Sequence, residues 1–326
     1  MKYGRIAHVD KPISRVVQGM VMISDERQDK SSALLDASME HGITTFDTAY
    51  VYGGGSSERG FGNWVADRGV RDRVVLLDKG AHPDAGGNKV NAPDISSDIT
   101  ESLDRLGFEH IDIYVLHRDD PQVPVSEIVD VLNEHHAAGR IGAFGGSNWT
   151  HERIAAANEY ARANGRVPFV AASPQLSLAE MIEPPWADCL SAGGPSGEAE
   201  RKWFAENGLA VFAWSSLAGG FLSGMFTREN LAGDVGESGL RNAGLVQRCY
   251  ADEDNFRRLD RLRELAAERG VSVAQAALAY VLSLPLDTYA LAAGWEADQI
   301  AQNAAAAEIE LSAAEIAWLE LRSESR

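Results

Sequence analysis

The chain has 326 residues, 45% of them apolar, a formal net charge of -18, and two cysteines, Cys189 and Cys249. The apolar share excludes disorder. The acidic balance argues against nucleic acid or an anionic membrane as the main partner, and two cysteines outside any CxxC or Cys/His cluster exclude a disulfide scaffold and a zinc site.

The opening MKYGRIAHVD lacks the apolar core of a signal peptide, and no apolar run approaches the ~20 residues of a membrane helix. The expectation is a soluble, cytoplasmic, metal-free protein. In chain order, short β-rich runs then alternate with amphipathic helical stretches. The predicted strands are RVVQGMVM (15–22), ITTFDTA (43–49), RVVLLDKG (73–80), IDIYVLH (111–117), IGAFGGSN (141–148), FVAASPQ (169–175), LAVFAWSS (209–216) and TYALAAG (288–294). They are nearly continuous apolar runs, as expected of strands buried on both faces.

Between them, SSDITESLDRLG puts Ile99, Leu103 and Leu106 on one helix face, with Ser and Asp as N-cap chemistry. VSEIVDVLNEHHAAGR groups Ile128, Val131, Leu132 and His135 and ends near Gly139. THERIAAANEYARANG and EAERKWFAENG end on Asn-Gly, a helix C-terminal signal. FRRLDRLRELAAERG, VSVAQAALAYVLSL and EADQIAQNAAAAEI follow, and SAAEIAWLELR is expected to pack outside the last unit. Eight βα units predict a single-domain (β/α)8 TIM barrel over residues 1–326. The rival, a doubly wound open sheet, would carry G-x-G-x-x-G after the first strand, and none is present. Two loops exceed the usual length, 177–197 and 218–254.

In such a barrel, reactive groups sit where strands end. The second strand ends at Asp47, followed by Tyr50 and Tyr52; the third ends at Lys79 and the fourth at His117. Singly, each has a bland reading: Asp47 as a loop cap, Tyr52 as a packed aromatic, Lys79 as a solvated cation, His117 as a satisfied histidine. Together, on three adjacent strands, they form a constellation.

The stretch FDTAYVYGGGSSERGFGNWV, with RVVLLDKG, IDIYVLHRDD, GGSNW and VFAWSSLAGGFLSG in order, resembles the aldo-keto reductases over nearly the whole chain. The resemblance implies an NAD(P)H-dependent oxidoreductase that interconverts a carbonyl (aldehyde, ketone or sugar) and its alcohol. It carries the family tetrad onto Asp47, Tyr52, Lys79 and His117. Tyr52 would be the general acid/base, Lys79 would lower its pKa, Asp47 would hold Lys79, and His117 would orient the carbonyl oxygen. Bringing a phenol from ~10 to ~7–8 takes roughly 3 to 4 kcal/mol. An ammonium at ~4 Å supplies on the order of 4 kcal/mol at an effective dielectric of ~20. Burial opposes this, so the cation wins only if the pair is close.

The same resemblance implies a cofactor site. Gly19, Met20 and Asp47 would lie near the nicotinamide, with Ser147, Asn148 and Gln175 on its carboxamide and Trp214 stacked on its ring. Ser215, Ser216, Leu217 and Gly219 would serve the pyrophosphate, and Gly294, Gln299, Gln302 and Asn303 the adenosine end. Where many relatives carry cations for a 2'-phosphate, this chain has Ala293 and Gln299, so NADH becomes plausible beside NADPH. The counter-reading is a cation from the 218–254 loop: Arg228, Arg241 or Arg248. Trp149, Trp186 and Trp295 flank candidate pocket loops, and His82 is a further substrate candidate; each is equally readable as packing or plain loop. Three other readings stay open: a Schiff-base lyase on Lys79, a sugar epimerase that retains its cofactor, and a non-catalytic cofactor-binding module.

Overall fold

The β-rich runs become short strands, and the helical stretches wrap them. The structure is a computed structural model that describes residues 1–233, 235–236 and 239–326. An antiparallel hairpin comes first, β1 (Tyr3–Gly4) and β2 (Ile13–Ser14). Eight parallel strands follow: β3 (Val16–Gly19), β4 (Thr45–Asp47), β5 (Val75–Gly80), β6 (Ile111–Leu116), β7 (Ile141–Ser147), β8 (Ala171–Ser173), β9 (Ala210–Ala213) and β10 (Asp287–Ala292). They pair in sequence order, and β10 pairs with both β9 and β3, which closes a (β/α)8 barrel. Each strand falls within or next to a predicted run. The hairpin is not legible in those runs. Its Ile13, with Val9 from the turn, packs against Val17, Val75, Leu77, Ile113 and Val115 inside the barrel.

The helices are α1 (Gln28–Glu40), α2 (Ser56–Arg68), α3 (Ala92–Leu106), α4 (Val125–Ala137), α5 (His151–Ala163), α6 (Glu198–Glu206), α7 (Ala243–Tyr250), α8 (Glu253–Arg269), α9 (Val273–Ser283), α10 (Ala297–Ala305) and α11 (Ala313–Leu319). They bury an outer core against the strands. α3 begins earlier than its apolar period suggests. Asn91, not a serine or aspartate further on, caps it by accepting from the Asp94 N–H, and Pro93 lies in its first turn. The 218–254 stretch is not a plain loop: Ala218–Ser223 is 3-10 and α7 lies within it. The 177–197 stretch holds only an isolated bridge, Ser191 beside Gln175. Among the described residues no helix is long and apolar enough to cross a membrane.

Candidate active site

Strand alternation delivers three polar side chains to one mouth. In β4, Phe46 joins the outer core, so Asp47 faces inward. In β5, Val75 and Leu77 join the inner core, and Lys79 is next in that series. In β6, Ile113 and Val115 do the same for His117, just past the strand end. Parallel pairing sets Asp47 beside Leu77 and Lys79 beside Val115. Tyr52 comes from the turn after β4, where Gly53, Gly54 and Gly55 have φ of 58, 59 and 86°. Three successive left-handed residues favour glycine, and they turn the chain sharply into α2.

The Lys79 ammonium donates to Asp47 Oδ1 at 2.6 Å and to the Thr48 carbonyl at 2.6 Å. The two side chains are 3% and 6% exposed, so this is a buried ion pair. Lys79 Nζ lies 5.0 Å from the centre of the Tyr52 ring. The His117 ring stands edge-on to Tyr52 at 6.1 Å, and the His82 ring edge-on to His117 at 4.9 Å. All four tetrad candidates and His82 therefore meet in one place.

Burial disfavours the Lys79 ammonium, but its neighbours, the Asp47 carboxylate first, outweigh this and raise its pKa, so the cation is held. Burial followed by Lys79, Arg118 and His82 lowers His117 well below the usual histidine range. His117 is thus a neutral imidazole, with one N–H to donate. Tyr52 departs from expectation: burial pushes its pKa above 10, and the Lys79 cation only partly offsets this. The physical reason is that Lys79 is already neutralised at hydrogen-bond distance by Asp47. The Tyr52 phenol is therefore protonated at neutral pH.

The cofactor candidates line the same face. Ser147 Oγ donates to the Ser173 carbonyl, and Asn148 Nδ2 donates to Ser147 Oγ at 3.1 Å and to the His117 carbonyl at 3.3 Å. Gln175 is fully buried, donates to Ser177 Oγ and accepts from Ser191. Trp214 is half-buried, and its indole N–H has no partner among the described residues. Ser215 and Ala218 have φ of 54 and 53°, and Gly219 and Gly220 of 66 and 109°. Ala81 and Asn148 are left-handed too, at 56 and 59°. Such backbone strain clusters at functional sites. A Cβ on Gly294 would lie 2.3 Å from Ile300, so only glycine fits there. Gln299 turns its Oε1 back to the Trp295 N–H at 2.9 Å. Asn303 is buried and Gln302 exposed on α10. Gly19 is half-buried at the end of β3, whereas the Met20 side chain is packed in the outer core and Ser216 Oγ turns inward to the Ala213 carbonyl.

A half-buried tryptophan paired with Gln175, near Asn148 and a turn with left-handed residues, is a set of groups that suits a nicotinamide dinucleotide. Among the described residues no cluster of three or more His, Cys, Asp or Glu side chains could hold a metal ion. Of the substrate candidates, Trp186 is 59% exposed and 6.5 Å from Trp214. Trp149 is buried, donates to the Arg118 carbonyl and packs on Phe169 at 5.2 Å, so it is part of the wall behind the mouth.

The sequence reading passed over two residues here. Asp78 faces away from the mouth, is fully buried, and accepts the Lys79 N–H at 2.8 Å. Arg118 follows His117 and is buried as well. Its signal was present, a charge just past a strand end, but residue order does not say which carboxylate, if any, takes it.

Comparison with known proteins agrees with this geometry. The profile described as the Aldo/keto reductase family matches residues 15–321. Aldo-keto reductase YhdN of Bacillus subtilis is 30% identical over 95% of this chain and 88% of its own length. Uncharacterized oxidoreductase Mb2320 of Mycobacterium bovis is 34% identical over 83% of this chain and 75% of its own. Versiconal hemiacetal acetate reductase of Aspergillus parasiticus is 25% identical over 98% and 96%. A closed parallel barrel with this mouth, matched by one family over nearly its full length, establishes that the chain belongs to the aldo/keto reductase family of oxidoreductases.

Proposed function

We propose that this chain reduces an aldehyde, ketone or sugar carbonyl with NADH or NADPH, and that Tyr52 is the proton donor. The observation that carries the reading is the buried Asp47–Lys79 pair set against the Tyr52 ring, with His117 edge-on to that ring. A bound nicotinamide dinucleotide supplies the hydride. The chain's own residues manage the proton. His117, neutral, donates its N–H to the carbonyl oxygen and polarises it. Tyr52, protonated, gives its phenolic proton to that oxygen, and the resulting phenolate rests beside the Lys79 ammonium. Asp47 keeps the ammonium charged and in place.

The arrangement counts against a Schiff-base lyase. Such a lysine attacks as a neutral amine, and here Lys79 is held as a cation by Asp47 and the Thr48 carbonyl. It equally gives a passive cofactor-binding module no use for a buried charged pair set against a phenol.

The adenosine end supports NADH. Ala293 and Gln299 carry no charge, and the neighbouring Glu296 pairs with Lys30 at 3.4 Å. Arg228 is occupied by Glu253 and Asp260, and Arg248 by Glu183. Arg241 lies over the Trp295 ring at 3.6 Å.

Tyr52→Phe tests the reading. It is expected to lose ~10² to 10⁴-fold in kcat for a carbonyl substrate, while dinucleotide affinity, measured by fluorescence titration, is kept. Turnover at the wild-type rate would remove Tyr52 from its role.

A further inference from the structure

Arg118 is 7% exposed, and its Nη1 donates to the His117 carbonyl at 2.8 Å. Among the described residues no carboxylate pairs with it. The two acidic residues beside it are engaged elsewhere. Asp119 accepts Arg153 Nε at 3.0 and 3.2 Å, and Asp120 accepts from the Gln122 N–H and from Asn88 Nδ2. A largely buried arginine with one carbonyl for five donors and no anion beside it keeps most of its hydrogen-bonding capacity and its charge free for another group.

We propose that Arg118 is a substrate-recognition residue, and that the substrate is a carbonyl compound carrying a carboxylate. This rests on the carbonyl-reductase reading above and adds the substrate class. The position fits. The guanidinium is held at the His117 carbonyl and acts electrostatically on His117, on Tyr52 and on the Cys189 thiol of the 177–197 stretch. Held at the His117 carbonyl, it is near both the proton-donating centre and the 177–197 stretch. The net charge of -18 gives the surface no general attraction for anions, so capture of an anionic group falls to a local cation. Arginine suits that task, since its planar fork meets a carboxylate with two parallel hydrogen bonds. Exposed apolar side chains at the same end, Val21, Val51 and Trp186, leave the rest of the substrate an apolar surface to lie on.

The test is a ratio. Reduction of 3- and 4-carboxybenzaldehyde is compared with that of their methyl esters, in wild type, Arg118→Met and Arg118→Lys. The acid-to-ester ratio of kcat/KM is expected to fall about ten- to a hundredfold in Arg118→Met, the worth of one charge-assisted hydrogen bond. Arg118→Lys is expected to keep part of it. Using the ratio cancels any common loss from packing. A second readout does not need turnover: benzoate and benzamide are titrated against tryptophan fluorescence with oxidised dinucleotide present. Benzoate is expected to bind wild type more tightly than benzamide and to lose that advantage in Arg118→Met. An unchanged acid-to-ester ratio for both isomers, or equal binding of benzoate and benzamide to wild type, overturns the assignment. If wild type reduces none of the four aldehydes, that counts against aryl aldehydes as substrates, and the benzoate titration still decides for or against Arg118.

Discussion

The Asp47–Lys79 pair can be tested without any substrate. Both side chains are nearly fully buried and meet at 2.6 Å. Asp47→Asn leaves the ammonium without its counter-charge, and Lys79→Met leaves the carboxylate in the same state. Breaking a buried pair from one side costs ~3 to 5 kcal/mol, because the surviving charge has lost both water and partner. At ~2.1 cal/mol/K of unfolding entropy per residue, a chain of this length unfolds with ~0.7 kcal/mol/K, so each single variant should lose about 4 to 7 °C in Tm. The double variant has no orphan charge. It leaves two neutral polar groups, the Thr48 carbonyl and the new side-chain amide at position 47, whose donor and acceptor can meet each other, a cost of ~1 to 3 kcal/mol. Its Tm should therefore be no lower than that of the worse single variant. Scanning calorimetry of the four proteins at pH 7, without cofactor, measures the cycle. Strictly additive losses would show that the two charges do not depend on each other, and the account of Lys79 as a cation held by Asp47 would fall.

Two further outcomes follow from the same residues and their neighbours. Burial and then Glu58 raise Asp78 well above the carboxylate range. A folded pKa above the unfolded ~3.9 means the folded state binds the extra proton, so this group's contribution to stability declines as pH rises from about 4. Asp78→Asn should thus raise Tm at pH 8, with the gain shrinking toward pH 4; an equal gain at both would discard the raised pKa. At the cofactor site, competitive titration should find NADH bound at least comparably to NADPH, and Gln299→Arg should improve NADPH by roughly tenfold or more. A strong NADPH preference in wild type that survives Gln299→Arg and disappears in Arg241→Ala would place the phosphate under the arginine over Trp295 instead.

Much of the architecture was legible in residue order. Continuous apolar runs at barrel spacing predicted the eight strands, because strands covered on both faces have no polar side to show. The strand ends alone drew Asp47, Lys79 and His117 toward one mouth, since alternation with period two leaves little choice of face once Val75, Leu77, Ile113 and Val115 are inside. The Asn91 cap and α7 were less legible, because capping and short helices are decided by neighbours as much as by period.

Electrostatics was decided only in three dimensions. Which charge neutralises which is a matter of distance and burial, and neither is written in the order of residues. In LHRDD, residue order does not say which charges pair; in the fold Arg153, on α5, takes Asp119, and Arg118 stays at the His117 carbonyl. VLLDKG reads as a strand with two charges, until one of them faces the mouth beside Asp47 and the other is buried behind it near Glu58. The same holds for Tyr52. The family resemblance implied its role as proton donor, but whether a nearby cation or burial governs its pKa depends on how much of that cation Asp47 has already used.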